Sequence, residues 1–285
     1  MFDFSNYGEL LALVQNSIIA AAILGIVGGL IGVFVMQRDM AFAVHGISEL
    51  SFAGAAGALL LGANVVAGSL VGSLIAAVLI GVLGARARDR NSIIGVLMPF
   101  GLGLGILFLA LYPGRSGNKF GLLTGQIISV NFGQLGLLIG ISVVVLATLL
   151  VVWRPLMFDS LDPEVAMARG VPSRTLSLVF MVLLGLTVAV SVQIIGALLV
   201  LALIVTPAAA ALRVSSSPAV VPVLAMIFGF VSAVGGVLLA LGGSLPISPY
   251  ITTISFLIYL VCRVVGWRRD TSAARRTGGR VRVKS

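Results

Sequence analysis

Charge is scarce in this sequence: Asp, Glu, Lys and Arg together make up 9% of its 285 residues, where a soluble domain carries about a quarter. That shortage excludes an ordinary water-facing surface. The single cysteine, Cys262, rules out an internal disulfide and a thiolate metal cage. In its apolar stretch it reads as a small core residue. The single histidine, His45, leaves no second imidazole for a Ser/His/Asp arrangement, and no G-x-S-x-G elbow is present. The two lysines, Lys119 and Lys284, follow Asn118 and Val283, so no Gly-Lys pair exists for a phosphate-binding loop. Any nucleotide hydrolysis belongs to another chain. The first ten residues contain Asp3 and Glu9 but no Lys or Arg, unlike the basic start of a secretory signal. The first apolar stretch is therefore expected to be retained as a span.

What the sequence has in plenty is apolar surface, 59% of residues, with 35 glycines. Several runs approach the ~20 residues that cross ~30 Å of hydrocarbon as a helix. The expected fold is all-α, a polytopic transmembrane bundle. Nine spans are placed at about 14–36, 41–61, 66–84, 92–112, 133–153, 175–192, 195–212, 219–241 and 250–267. Eight is the rival count, because 175–212 can be divided differently. With the N-terminus outside and the C-terminus in the cytoplasm, 16 of the 18 Lys and Arg fall inside, all but Arg115 and Lys119. The reverse orientation inverts that ratio, and the positive-inside rule selects the first. The net charge of +9 thus suits an anionic membrane face rather than nucleic acid. Residues 1–267 read as one membrane domain. Residues 268–285 read as a basic, disordered cytoplasmic tail.

Small residues recur four apart: Gly25 and Gly29, Gly28 and Gly32, Gly68 and Gly72, Gly101 and Gly105, Gly136 and Gly140. Each pair predicts a notch where a neighbouring backbone comes close. Two connections are more than turns. The external one, 113–132, is either a re-entrant or interfacial helix or a plain loop. The cytoplasmic one, 154–174, predicts a helix over about 161–170. Asp162 serves as N-cap, Pro163 as first helical residue and Glu164 as first-turn acid, with Gly170 and Pro172 ending it. Such a helix is either a connector or a docking element for a partner.

An ionisable residue inside a membrane is expensive and commonly functional. His45 and Glu49, in A-F-A-V-H-G-I-S-E-L-S-F, stand four residues apart and so share one helix face. At 1.5 Å per residue from Asp39, they lie about 9 and 15 Å deep. Imidazole and carboxylate suit first-row divalent metals. The alternative is a structural pair that locks helices together. Ser48 and Ser51 can add oxygens or merely pack, and Met36 and Met40 read as filler.

Five segments, in order, resemble the permeases of metal-ion ABC importers. They are L-I-G-V-F-V-M-Q-R-D-M-A-F-A-V-H-G-I-S-E-L-S-F-A-G (30–54), R-D-R-N-S-I-I-G (88–95), G-L-L-T-G-Q-I-I-S-V (121–130), F-D-S-L-D-P-E-V-A-M-A-R-G-V-P (158–172) and I-I-G-A-L-L-V-L-A-L-I-V-T-P-A-A-A-A-L (194–212). The resemblance implies an inner-membrane permease working as two copies with two cytoplasmic ATP-binding subunits and an extracytoplasmic metal-binding protein. It implies a transported divalent metal, zinc somewhat ahead of manganese or iron, and no permanently bound cofactor. The family's metal-site Asp falls on His45 and its His on Glu49, so the acid and imidazole exchange places. Gln126 stands where relatives often carry Asn or Asp. Coupling to the ATPase falls on Asp162, Pro163, Glu164, Ala166 and Gly170. A secondary transporter or channel using Glu49 without ATPase partners is the alternative.

Overall fold

The computed structural model describes residues 8, 11, 13–84, 87–114, 130–197, 199–241 and 247–278. Asp3, Glu9, Arg86, Arg115, Lys119, Gln126 and all of the 121–130 element except Val130 lie outside the described residues. Among the described residues ten helices follow in order: α1 Gln15–Gln37, α2 Ala41–Leu60, α3 Val65–Leu83, α4 Ala87–Leu111, α5 Phe132–Leu161, α6 Pro163–Ala168, α7 Ser173–Ile195, α8 Val200–Val214, α9 Val220–Leu241 and α10 Ile247–Gly278. Among the described residues no strand occurs. Eight of these helices are long and apolar enough to cross a membrane.

The seventh expected span, 195–212, is occupied by α8, which has only 15 residues. That is about 22 Å of helix, short of a ~30 Å core. The cause is local. Gly196 takes φ +87, a left-handed setting that suits glycine, and it breaks the chain between α7 and α8. In contrast α5 runs for 30 residues, about 45 Å, so its last turns extend beyond the hydrocarbon. Helix α10 continues as far as Gly278, past the boundary read from sequence at 268.

Polar residues start the helices where the sequence supplies them. Asn64 accepts from the Val66 and Ala67 N–H groups, and Asn131 with Gln134 makes a reciprocal capping box. Asp162 caps α6 by accepting from the Val165 N–H at 3.1 Å, with Pro163 as first residue. Gly170, at φ +81, follows it.

Packing divides into two groups of helices. In one, α2 lies between α3 and α4, and α3 packs on α7; in the other, α1, α8, α9 and α10 pack together, and α1 also touches α5. Helices α1, α2 and α7 are the most buried, and α4, α5 and α10 among the least. The glycine notches set these contacts. A methyl group on Gly25 would collide with the Gly229 backbone, one on Gly29 with that of Ala225, and one on Gly32 with the Ile204 carbonyl. Gly68 and Gly72 likewise meet α2 at Gly54 and Leu50. Gly136 and Gly140 differ: nothing lies within 4 Å of a methyl there, so this predicted notch opens outward from the protomer.

Candidate functional site

Helix α2 is the least apolar of the eight candidate spans and yet one of the most buried. Two rows of small residues hold it. On one side the Gly72 backbone meets the Leu50 carbonyl; on the other Gly101 lies against Glu49 and Gly105 against Phe52. A methyl at Gly101 would sit 3.0 Å from both the Glu49 carbonyl carbon and the Leu50 nitrogen. The backbone that carries Glu49 is therefore fixed by direct contact with a neighbouring helix.

Within that clamp, His45 Nε2 lies 3.5 Å from Glu49 Oε1. This is at the outer limit of a hydrogen bond, so the two groups are neighbours rather than a closed pair. The Glu49 side chain is 3% exposed and that of His45 27%. The imidazole thus lies at the accessible edge and the carboxylate behind it. His45 Nδ1 and Glu49 Oε2 are buried and without a hydrogen-bond partner. A buried carboxylate oxygen left in that condition costs about 1–3 kcal/mol. The arrangement offers free donor atoms of the types that divalent transition metals take. Two side chains do not complete a coordination shell, and among the described residues no cluster of three or more His, Cys, Asp or Glu is found. A metal held here would need water, backbone or another chain for the rest.

The serines beside the pair are committed elsewhere. Ser48 Oγ donates to the His45 carbonyl at 2.8 Å, and Ser51 Oγ lies 2.7 Å from Ser69 Oγ. Met40 is part of the apolar core, as is buried Cys262. These residues pack.

The structure brings together one constellation that the sequence reading did not single out. Arg38, at the end of α1, donates from Nη1 to Asp159 Oδ2 at 3.1 Å and from Nη2 to the same oxygen. Its guanidinium lies 5.7 Å over the Phe180 ring, and Arg90 Nη2 donates to the Arg38 carbonyl at 3.1 Å. Burial pulls the Arg38 pKa down and Asp159 pulls it back up. Sequence separation of 121 residues hid this pair. The available hint was Arg38, the first charge after the apolar run 18–36.

Of the five residues expected to meet a partner, Asp162, Pro163, Glu164 and Gly170 are exposed, whereas Ala166 is buried. Leu161, Val165 and Met167 are also exposed, giving α6 an acidic and apolar outer face. A cavity of about 260 Å³ lies among the start of α3, the start of α5 and the end of α7, lined by Asn64, Asn131, Gln134 and Gln193 among others. It includes neither His45 nor Glu49.

A sequence model of the ABC 3 transport family matches residues 11–266. The chain is 31% identical over 224 residues to the manganese transport system membrane protein of Halalkalibacterium halodurans, covering 78% of this chain and 77% of that one. It is 28% identical over 226 residues to the high-affinity zinc uptake system membrane protein of Haemophilus influenzae, covering 79% and 86%. Among solved structures it is similar to PsaBC from Streptococcus pneumoniae in complex with Fab. There the TM-score is 0.81 at 26% identity, covering 91% of this chain and 95% of that one.

Proposed function

The chain belongs to the ABC 3 transport family, and from that premise we propose that it is the multi-span permease through which an ATP-driven importer passes zinc or manganese. The observation that carries this reading is Glu49, a buried carboxylate with one free oxygen, 3.5 Å from the lone imidazole on a central helix. Buried side-chain oxygens usually have a hydrogen-bond partner, and the protein supplies none to Glu49 Oε2. A visiting dication explains both the separation and the free atoms. The imidazole suits zinc and the carboxylate also suits manganese; relatives named for each ion support either cargo. The sequence expectation of zinc ahead of manganese is kept as part of the proposal.

In this reading two copies of the chain form the pathway, and an extracytoplasmic metal-binding protein delivers the ion to its outer mouth. Cytoplasmic ATP-binding subunits dock on α6. Glu164 and the exposed Leu161, Val165 and Met167 suit a partner groove that is apolar and rimmed with cations. Asp162, Pro163 and Gly170 give that helix its start and its end, and Ala166 seats it on the bundle. The chain binds no cofactor permanently, and ATP hydrolysis belongs to the partner.

The test is uptake of radioactive zinc and manganese, each competing with the other, into proteoliposomes holding the permease, ATP-binding subunits and binding protein. Glu49→Ala is expected to abolish uptake of both ions while the complex still assembles. Wild-type uptake by that variant would remove Glu49 from the pathway. Uptake by the permease alone, without ATP-binding subunits, would instead indicate a secondary transporter.

A further inference from the structure

The Arg38–Asp159 pair joins the end of α1 to the end of α5. Its side chains are 10% and 3% exposed. A buried ion pair adds little net stability over an apolar pair of the same volume, although removing one partner is harmful. The surroundings are also incompletely satisfied. Asp159 Oδ1, Gln37 Oε1 and Arg90 Nε are buried with no partner. One of these atoms, Asp159 Oδ1, belongs to the pair itself and is free to accept from a donor that movement brings to it.

The two partners sit at opposite ends of a mechanical chain. Asp159 is on the last turn of α5, three residues before Asp162, the sole residue between α5 and α6. Ala166 ties α6 back to the bundle, wholly buried, so a push on α6 must displace the end of α5. Arg38 ends α1 and stands in the short turn before α2. In that turn Asp39 holds φ 53, a left-handed setting that a non-glycine residue rarely takes. The Arg90 bond to the Arg38 carbonyl holds the turn from α4, and Phe180 holds the guanidinium from α7. His45 follows about one helical turn into α2. Because α2 is clamped along its length by α3 and α4, movement of its first turn reaches the metal pair.

We propose that Arg38 and Asp159 are positioning residues forming a latch, closed in this conformation and released when α6 moves, which transmits ATP-driven displacement of α6 to the helix bearing His45 and Glu49. The latch rests on the permease reading above and adds to it the route by which the partner's work reaches the ion. It requires neither residue to touch the metal.

The experiment uses the full complex in proteoliposomes, with ATP hydrolysis and zinc or manganese uptake measured on the same preparation. Arg38→Gln and Asp159→Asn are each expected to keep hydrolysis within about twofold while uptake falls by about tenfold or more, a loss of coupling of ordinary size. The exchanged double variant Arg38→Asp with Asp159→Arg is expected to recover uptake to within about threefold, since it restores the pair. A separate arm guards against misfolding. Arg38→Cys and Asp159→Cys are combined in a Cys262→Ser background and joined by a reducible thiol cross-linker. Before cross-linking, uptake is expected at the reduced level of the single variants; it is expected to stop on cross-linking and to return to that level on reduction.

An unchanged ratio of ions moved to ATP hydrolysed in both single variants would overturn the latch. So would a parallel fall of both activities with complex yield, and so would undiminished uptake in the cross-linked protein. If the wild-type complex moves neither ion with ATP, the permease reading itself falls and the latch with it.

Discussion

At Glu49 the Oε2 atom has lost water and gained nothing in return, which ties metal binding to stability. A ligand that binds the folded state at a hundred times its Kd adds about 2.7 kcal/mol of stability. Zinc or manganese is therefore expected to raise the thermal midpoint of the detergent-solubilised protein, and Glu49→Gln to abolish that rise. Without metal, Glu49→Gln is expected to melt no lower than wild type, because it replaces a group that is unsatisfied when ionised. An equal metal-induced shift in both proteins would place the site elsewhere. The neighbouring hydroxyls should behave differently. Ser51→Ala breaks a bond to Ser69 and is expected to cost about 1 kcal/mol, while leaving uptake per folded complex unchanged. His45 and Glu49 were legible in the sequence because an acid and an imidazole stand out against alanine, glycine and leucine. Arg38 and Asp159 were not. Each lies near other charges at a helix end, and only folding shows that two residues so far apart in sequence meet.

The helices extend this contrast. Gly101 and Gly103 are two residues apart on α4, yet a methyl on Gly101 would strike Leu50 and the Glu49 backbone, whereas one on Gly103 meets nothing within 4 Å. Gly101→Ala is expected to destabilise by about 1–3 kcal/mol, the usual range for overpacking, and to reduce uptake. Gly103→Ala is expected to do neither, as read by thermal melting and transport. Equal effects would mean that the clamp on α2 is illusory. At α6, Asp162→Ala removes the bond from the Val165 N–H and is expected to weaken the cap by about 1 kcal/mol. Its signature is loss of binding to the ATP-binding subunit in a pull-down, with metal binding intact. The start of α6 was readable because Asp-Pro-Glu is a local signal. The shortness of α8 was not, since Gly196 lies between two apolar stretches that hydropathy joins or divides equally well. Four-residue glycine spacing foretold the notches on α1, α3 and α4 but could not say what fills them, and at Gly136 and Gly140 the protomer supplies nothing.

For the whole molecule, contacts gather Arg38, Arg90 and Asp159 at one end, where Leu212 packs beside Met36 and Arg213 and Arg263 share Tyr259, while Asn64, Asn131 and Gln193 line one cavity. Impermeant maleimide applied to intact cells tests the orientation proposed from charge. In a Cys262→Ser background, Ala63→Cys is expected to label from outside and Ser216→Cys only after lysis. The opposite pattern would invert the topology, and with it the side on which α6 can meet an ATPase. The clamp around α2 bears on how such a protein diversifies. Its contacts with α3 and α4 run largely through glycine and main chain, so the spacing of the three helices owes little to what projects at positions 45 and 49. Those two side chains can be exchanged for other donors, harder or softer, without repacking the bundle. In the proposed reading, one scaffold is retuned from ion to ion by substitutions at positions 45 and 49 alone.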